Sequence, residues 1–140
     1  MSYLVERLAE LRRHLDHLRE LRPRVTSSAA LEADLSLHND VLFSLLTVAQ
    51  VVIDVAGDLS AREGHRFEDY TSAVRNLARL PDFPEPLVSE LARLPGFRNI
   101  LVHEYVGLDY DLVMRALDEL ESIEQFLRIV LGRVDDESSV

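Results

Sequence analysis

Val41-Leu42-Phe43-Ser44-Leu45-Leu46-Thr47-Val48-Ala49-Gln50-Val51-Val52-Ile53-Asp54-Val55-Ala56 is the most apolar run of the chain. It does not alternate with the period of two that a half-buried strand requires. Followed back to Ala29, the apolar residues Leu31, Leu35, Leu42, Leu45, Leu46, Ala49, Val52, Ile53 and Ala56 recur at helical spacing. The pattern predicts one long helix over 29–56, with Ser27 and Ser28 placed to cap it. Its second half has little polar surface, so it reads as the central helix of a bundle. The run is too short to cross a bilayer and is interrupted by Gln50 and Asp54, so no membrane association is expected.

Working outward, Leu4, Leu8, Leu11, Leu15 and Leu18 step by four, three, four and three, which predicts a helix over 2–22 with one apolar stripe, ended by Pro23. On the other side, Gly57–Arg66 is rich in charge and holds two glycines, and reads as a loop. A third helix is expected over 67–80, with Tyr70, Val74, Leu77 and Ala78 inward. The prolines at 81, 84 and 86 stop it and open a fourth helix near Glu85. Pro95-Gly96 should kink or break that helix, whose pattern resumes at Phe97 and fades at Gly107. A fifth helix is expected over 109–132. The fold class is therefore all-α: an up-and-down bundle of four to five helices, one domain over 1–134, then a polar tail over 135–140.

The 140 residues suit a single domain. The absence of cysteine removes disulfides, a thiolate nucleophile and Cys-based zinc sites, and fits a cytoplasmic protein. Nothing in Met1–Ala9 has the unbroken apolar core of a signal peptide. Every basic residue is Arg, and the net charge is −10, which disfavours nonspecific nucleic-acid binding by the whole surface. The charge is uneven, however. Residues 1–24 hold six Arg against four acids, so +2, and the remainder nine Arg against 21 acids, so −12. A polyanion would have to meet a local arginine patch.

Most polar residues have plain explanations. His14 and His17 fall on the flank of the first helix, where a solvated face is expected. His38 and His65 have no partner at metal-ligand spacing, and there is no HExxH, GxSxG or P-loop, so neither a metal nor a cofactor is expected. Asp54, in the most apolar helix, calls for a hydrogen-bonding or ionic partner and is a supporting site candidate.

The exception is Phe97-Arg98-Asn99-Ile100-Leu101-Val102-His103-Glu104-Tyr105. At about 100° per residue from Arg98, Asn99 lies near 100°, His103 near 140° and Tyr105 near −20°. Arg98 and Tyr105 thus share one line of the helix. Asn99 and His103 share another, and a hydrogen bond between them would set the histidine tautomer. Spacing alone leaves open a structural reading, with Arg and Tyr bonded at a helix end and His as filler.

These residues resemble the R-x4-H-x-Y signature of the HepT family of HEPN-domain toxins. The likeness continues in Gln50-Val51-Val52-Ile53-Asp54, in Phe67–Val74 and in the step from Tyr105 through Asp109-Tyr110-Asp111. The resemblance implies a metal-independent ribonuclease toxin, homodimeric, with two copies of the motif in one cleft. It further implies neutralisation by a minimal nucleotidyltransferase (MntA-like) antitoxin that adenylylates Tyr105. Arg98 and His103 would be catalytic, Asn99 and Asp54 supporting, and the substrate RNA, with tRNA one such target. The alternative is a non-catalytic HEPN module that binds nucleotide or serves as the partner subunit of a nucleotidyltransferase. The chemistry of the residues is compatible with RNA cleavage. A histidine, with a pKa of about 6.5, moves protons near neutrality, and a planar multi-donor cation holds charge developing on phosphorus.

Overall fold

A computed structural model describes residues 2–138, without the side chains of Ser2, Tyr105 and Ser138. The helices are α1 (Ser2–Leu21), α2 (Ser28–Ala33), α3 (Leu35–Arg62), α4 (Tyr70–Arg75), α5 (Glu85–Leu91), α6 (Leu94–His103), α7 (Tyr110–Asp118) and α8 (Glu121–Ser138). No strand occurs among the described residues. The all-α bundle read from the sequence is what forms, but three of its five helical stretches are interrupted.

The leucine stripe of α1 is its buried face. Leu4, Leu8, Leu11, Leu15, Leu18 and Leu21 are each at most 3% exposed. Each such burial stabilises by about 1.5–3 kcal/mol. The stripe packs on α3, which is central: it contacts α1, α2, α4, α6, α7 and α8. By length and composition α3 would pass for a membrane span, yet Val41, Leu45, Val48, Val51, Val52, Ile53 and Val55 are buried inside the bundle.

The first interruption is at Asp34, inside the helix expected over 29–56. Its backbone is extended (φ −103°, ψ 97°), and its carboxylate accepts from Leu37 N at 3.1 Å. A short acceptor side chain offers the backbone a cap in place of helix continuation. Ser27 caps α2 by accepting from Ala30 N. Leu35 matched the helical period but is exposed, because the chain turns there.

The loop expected over 57–66 is instead helix as far as Arg62. Leu59 and Ser60 are buried while Asp58 and Arg62 pair at 2.7 Å on the outside, so the charges decorate an amphipathic turn rather than a loop. The helix ends at Gly64, φ +75°, where His65 N returns to Ser60 O at 2.8 Å; glycine occupies this left-handed position without strain. α4 starts at Tyr70 rather than Phe67 because Asp69 and Ser72 form a reciprocal capping box. Ala73 and Val74 of α4 and Leu77 of the following 3₁₀ turn, Asn76–Arg79, are buried; Tyr70 and Ala78 are exposed, contrary to expectation. The fourth stretch breaks at Ala92-Arg93, and Pro95 opens α6. The fifth breaks at Glu119-Leu120, after which α8 runs to Ser138, past Gly132. Residues 139–140 of the expected tail lie outside the described residues.

His14 is not solvated. Its Nδ1 lies 2.9 Å from the buried Ser44 Oγ, its Nε2 is 3.3 Å from Glu10, and its ring meets Phe43 edge-on. The first helix also fails to offer a free arginine patch. Arg12 and Arg19 converge on the buried Glu124, Arg22 pairs with Asp118, and Arg13 with Glu10. Hydrogen bonds from Arg12, then its positive charge together with that of Arg19, hold the Glu124 carboxyl below its ordinary pKa despite burial.

A carboxyl whose pKa is lower folded than unfolded stabilises above the unfolded value and loses that contribution as pH falls through the folded one. Thermal melts should therefore fall in acid, below the ordinary Glu value of about 4.3. Glu124→Gln should lower the melting temperature at neutral pH and blunt part of the acid dependence. Its loss of charge-assisted bonds should cost about 2 kcal/mol in denaturant titrations.

Candidate active site

Three helices meet around Asp54. From α3, Asp54 Oδ2 accepts from Arg7 Nη2 of α1 at 2.6 Å, and Asp54 Oδ1 accepts from Gln50 Nε2 at 2.8 Å. Gln50 is one helical turn earlier, and its Oε1 accepts from Arg98 Nε of α6 at 2.9 Å. One amide therefore links a carboxylate to a guanidinium, and both its ends are satisfied in a way that fixes its orientation. The partner that the sequence demanded for Asp54 is Arg7, supplemented by Gln50. Nearby Tyr3 responds to the same charges: burial first, then the Asp54 carboxylate, raise its hydroxyl above the ordinary phenol pKa.

Arg98 is further fixed by Asn99 Oδ1, which accepts from its Nη1 at 3.1 Å, and by the ring of Tyr70, whose centroid is 5.5 Å from its Cζ. The expected Asn99–His103 bond is not present among the described residues; the Asn99 oxygen is engaged by Arg98 instead. Arg98, Arg7, Gln50, Leu46, Thr47 and Val102 line a cleft of about 300 Å³.

His103 is the last residue of α6 and is exposed, with no hydrogen-bond partner among the described residues. It is five positions on from Arg98, about 7.5 Å along the axis and 140° around it. Arg98 lines the cleft and His103 is not among its lining residues. Tyr105 belongs to a separate 3₁₀ turn, Tyr105–Gly107, beyond Glu104. The helical projection that aligned it with Arg98 therefore does not extend to it, and its side chain lies outside the described residues. Among the described residues no group of three His, Asp or Glu could hold a metal.

Sequence reasoning treats Gln50 only as a polar interruption and Arg7 only as one of six N-terminal arginines that could meet a polyanion, and it assigns Tyr70 to the core. The available signal was the i,i+4 spacing of Gln50 and Asp54: two polar side chains on one face of an otherwise apolar helix must share a partner.

None of the curated proteins compared with the chain matches it. A triply AMPylated HEPN toxin of Shewanella oneidensis, solved in complex with an MNT antitoxin, superposes with a TM-score of 0.83 at 22% identity, over 94% of this chain and 98% of that one. A chain of a toxin–antitoxin structure solved with AMP-PNP superposes at 0.81 with 21% identity, over 93% of this chain and 98% of that one. At these identities the likeness is one of fold. Residues 11–130 match the model of the HepT-like ribonucleases, nearly the full length of the bundle, and carry both Arg98 and His103. The chain belongs to the HepT-like ribonuclease family.

Proposed function

We propose that this chain is a metal-independent endoribonuclease toxin of a bacterial toxin–antitoxin pair, acting as a homodimer in the cytoplasm. The observation that carries the reading is the state of Arg98 and His103. The guanidinium is held by Gln50, Asn99 and the Tyr70 ring, while the imidazole at the end of the same helix is exposed and unpartnered among the described residues.

In such a reaction a His103 imidazole takes the proton of a ribose 2′-OH. The oxygen attacks the adjacent phosphorus, and the 5′-oxygen leaves with a proton, giving a 2′,3′-cyclic phosphate and a 5′-hydroxyl. Arg98 stabilises the charge on the phosphoryl oxygens. One imidazole cannot be base and acid in the same displacement. His103 of a second copy supplies the other role, and a two-fold axis would also bring the histidine of one copy towards the arginine of the other. This accounts for a cleft that one chain lines with Arg98 and not with its own His103.

Two features support an adenylylation switch at Tyr105. The Shewanella oneidensis relative is AMPylated and complexed with an MNT antitoxin. In this chain Tyr105 lies two residues beyond His103, in a turn where Val106 is 91% exposed, so the segment is open to a modifying enzyme. A nucleotide monophosphate placed there would bring negative charge to the mouth of an anion-binding site and compete with RNA for it.

Arg98→Ala and His103→Ala should each lower cleavage of total RNA in EDTA by about 10²–10⁴-fold with helical content unchanged. Full activity of His103→Ala would refute the assignment. Light scattering at micromolar protein should give the mass of a dimer, and a stable monomer would contradict the composite site. Co-expressed with a nucleotidyltransferase antitoxin, the wild type should gain the mass of AMP on the peptide containing Tyr105. Tyr105→Phe should stay toxic and escape neutralisation.

A further inference from the structure

Two guanidiniums, not one, line the cleft beside Gln50: Arg98 from α6 and Arg7 from α1. Between them stands a single carboxylate, Asp54, which binds Arg7 directly and Arg98 only through the Gln50 amide. Two cations against one anion leave the cleft with a net positive charge, in a chain whose total is −10. The contrast with the rest of α1 is sharp. Arg12 and Arg19 share the buried Glu124, Arg13 has its own acid, and so has Arg22 just beyond the helix, none of them lining this cleft.

Arg7 is also underused. Only its Nη2 is bonded; its Nε is buried without a hydrogen-bond partner, and its Nη1 has none among the described residues. An arginine whose role were only to neutralise Asp54 would be expected to use its fork, presenting two donors to two carboxylate oxygens. Here it gives Asp54 a single bond, to Oδ2, while Oδ1 accepts from Gln50. The Nε is enclosed, and the Nη1 group left unbonded belongs to a side chain that walls the cleft.

We propose that Arg7 is a second phosphate-binding residue of the cleft, taking a backbone phosphate of single-stranded RNA next to the one held by Arg98. The inference rests on the ribonuclease reading and adds a substrate contact to it. Asp54 sets the distance between the two cations and offsets part of their repulsion. Gln50 transmits its position to Arg98 without spending the Arg98 charge.

The test is binding of a fluorescein-labelled oligouridylate to His103→Ala protein, which holds RNA without cutting it, measured by anisotropy across a salt series. Adding Arg7→Gln should weaken binding about fivefold near 0.1 M salt and flatten the slope of log K against log salt by about 0.7, the loss of one phosphate contact on a single strand. Arg7→Lys, which keeps the charge, should retain the slope. Asp54→Asn, which leaves both cations and removes their shared counter-charge, should bind as tightly or more tightly. If Arg7→Gln and Asp54→Asn instead weaken binding together with the slope unchanged, Arg7 only anchors Asp54 and the proposal is wrong. Circular dichroism and melting of each variant separate this from loss of the fold. If Arg98→Ala weakens binding and Arg7→Gln does not, the Arg7 contact is refuted while the ribonuclease reading stands. If neither changes binding, both are refuted.

Discussion

α3 is apolar around most of its circumference, and a helix of that kind persists in water only when it is covered on every apolar side. This constraint organises the molecule. The α1 leucine stripe covers one flank, α4 and α6 another, and α2, α7 and α8 the remainder. The same constraint makes the site. Gln50 and Asp54 are the polar interruptions of the apolar half of α3, and a half-buried carboxylate costs several kcal/mol unless it is paired and hydrogen-bonded. Covering helices must therefore bring donors to that point. α1 brings Arg7 and α6 brings Arg98. The structural demand, and that of the reaction proposed here, are met by one hydrogen-bonded chain.

Arg98 serves both the fold and the reaction proposed here. One side of its guanidinium satisfies Gln50 and Asn99, while the rest borders the cleft. His103 is different: it is exposed and structurally unencumbered, at the last turn of α6. A residue that holds nothing in place can be exchanged without unfolding the protein, which is why the two substitutions are informative together.

What the sequence made legible follows from periodicity. The leucine stripe of α1, the apolar rows of α3 and the proline punctuation around 81–86 each depend on one local pattern, and each appears where read. The boundaries set by competition were not legible. Asp34 stops a helix because its side chain caps the next one, and Leu35 concealed this by keeping the period. Gly57–Arg66 looked like a loop because its charges were counted, whereas their spacing leaves Leu59 and Ser60 buried. In the site, the R-x4-H spacing was visible, and so was the need of Asp54 for a partner. Which partner was not visible, because Arg7 is one of six arginines in its segment and only tertiary packing selects it. The Asn99–His103 pair failed for a related reason: a stronger, charged donor sits one residue away.

The bonds that build the cleft span 47 residues from Arg7 to Asp54 and 48 from Gln50 to Arg98. No contiguous fragment of ordinary helix-hairpin length contains all four groups. A chain emerging from the ribosome holds Arg7 and Asp54 well before α6 is made, and lacks Arg98 until most of the protein exists. Long-range closure of this kind comes late in folding. The cleft is consequently assembled only at the end of synthesis, and an incomplete copy lacks the pair of cations that lines it.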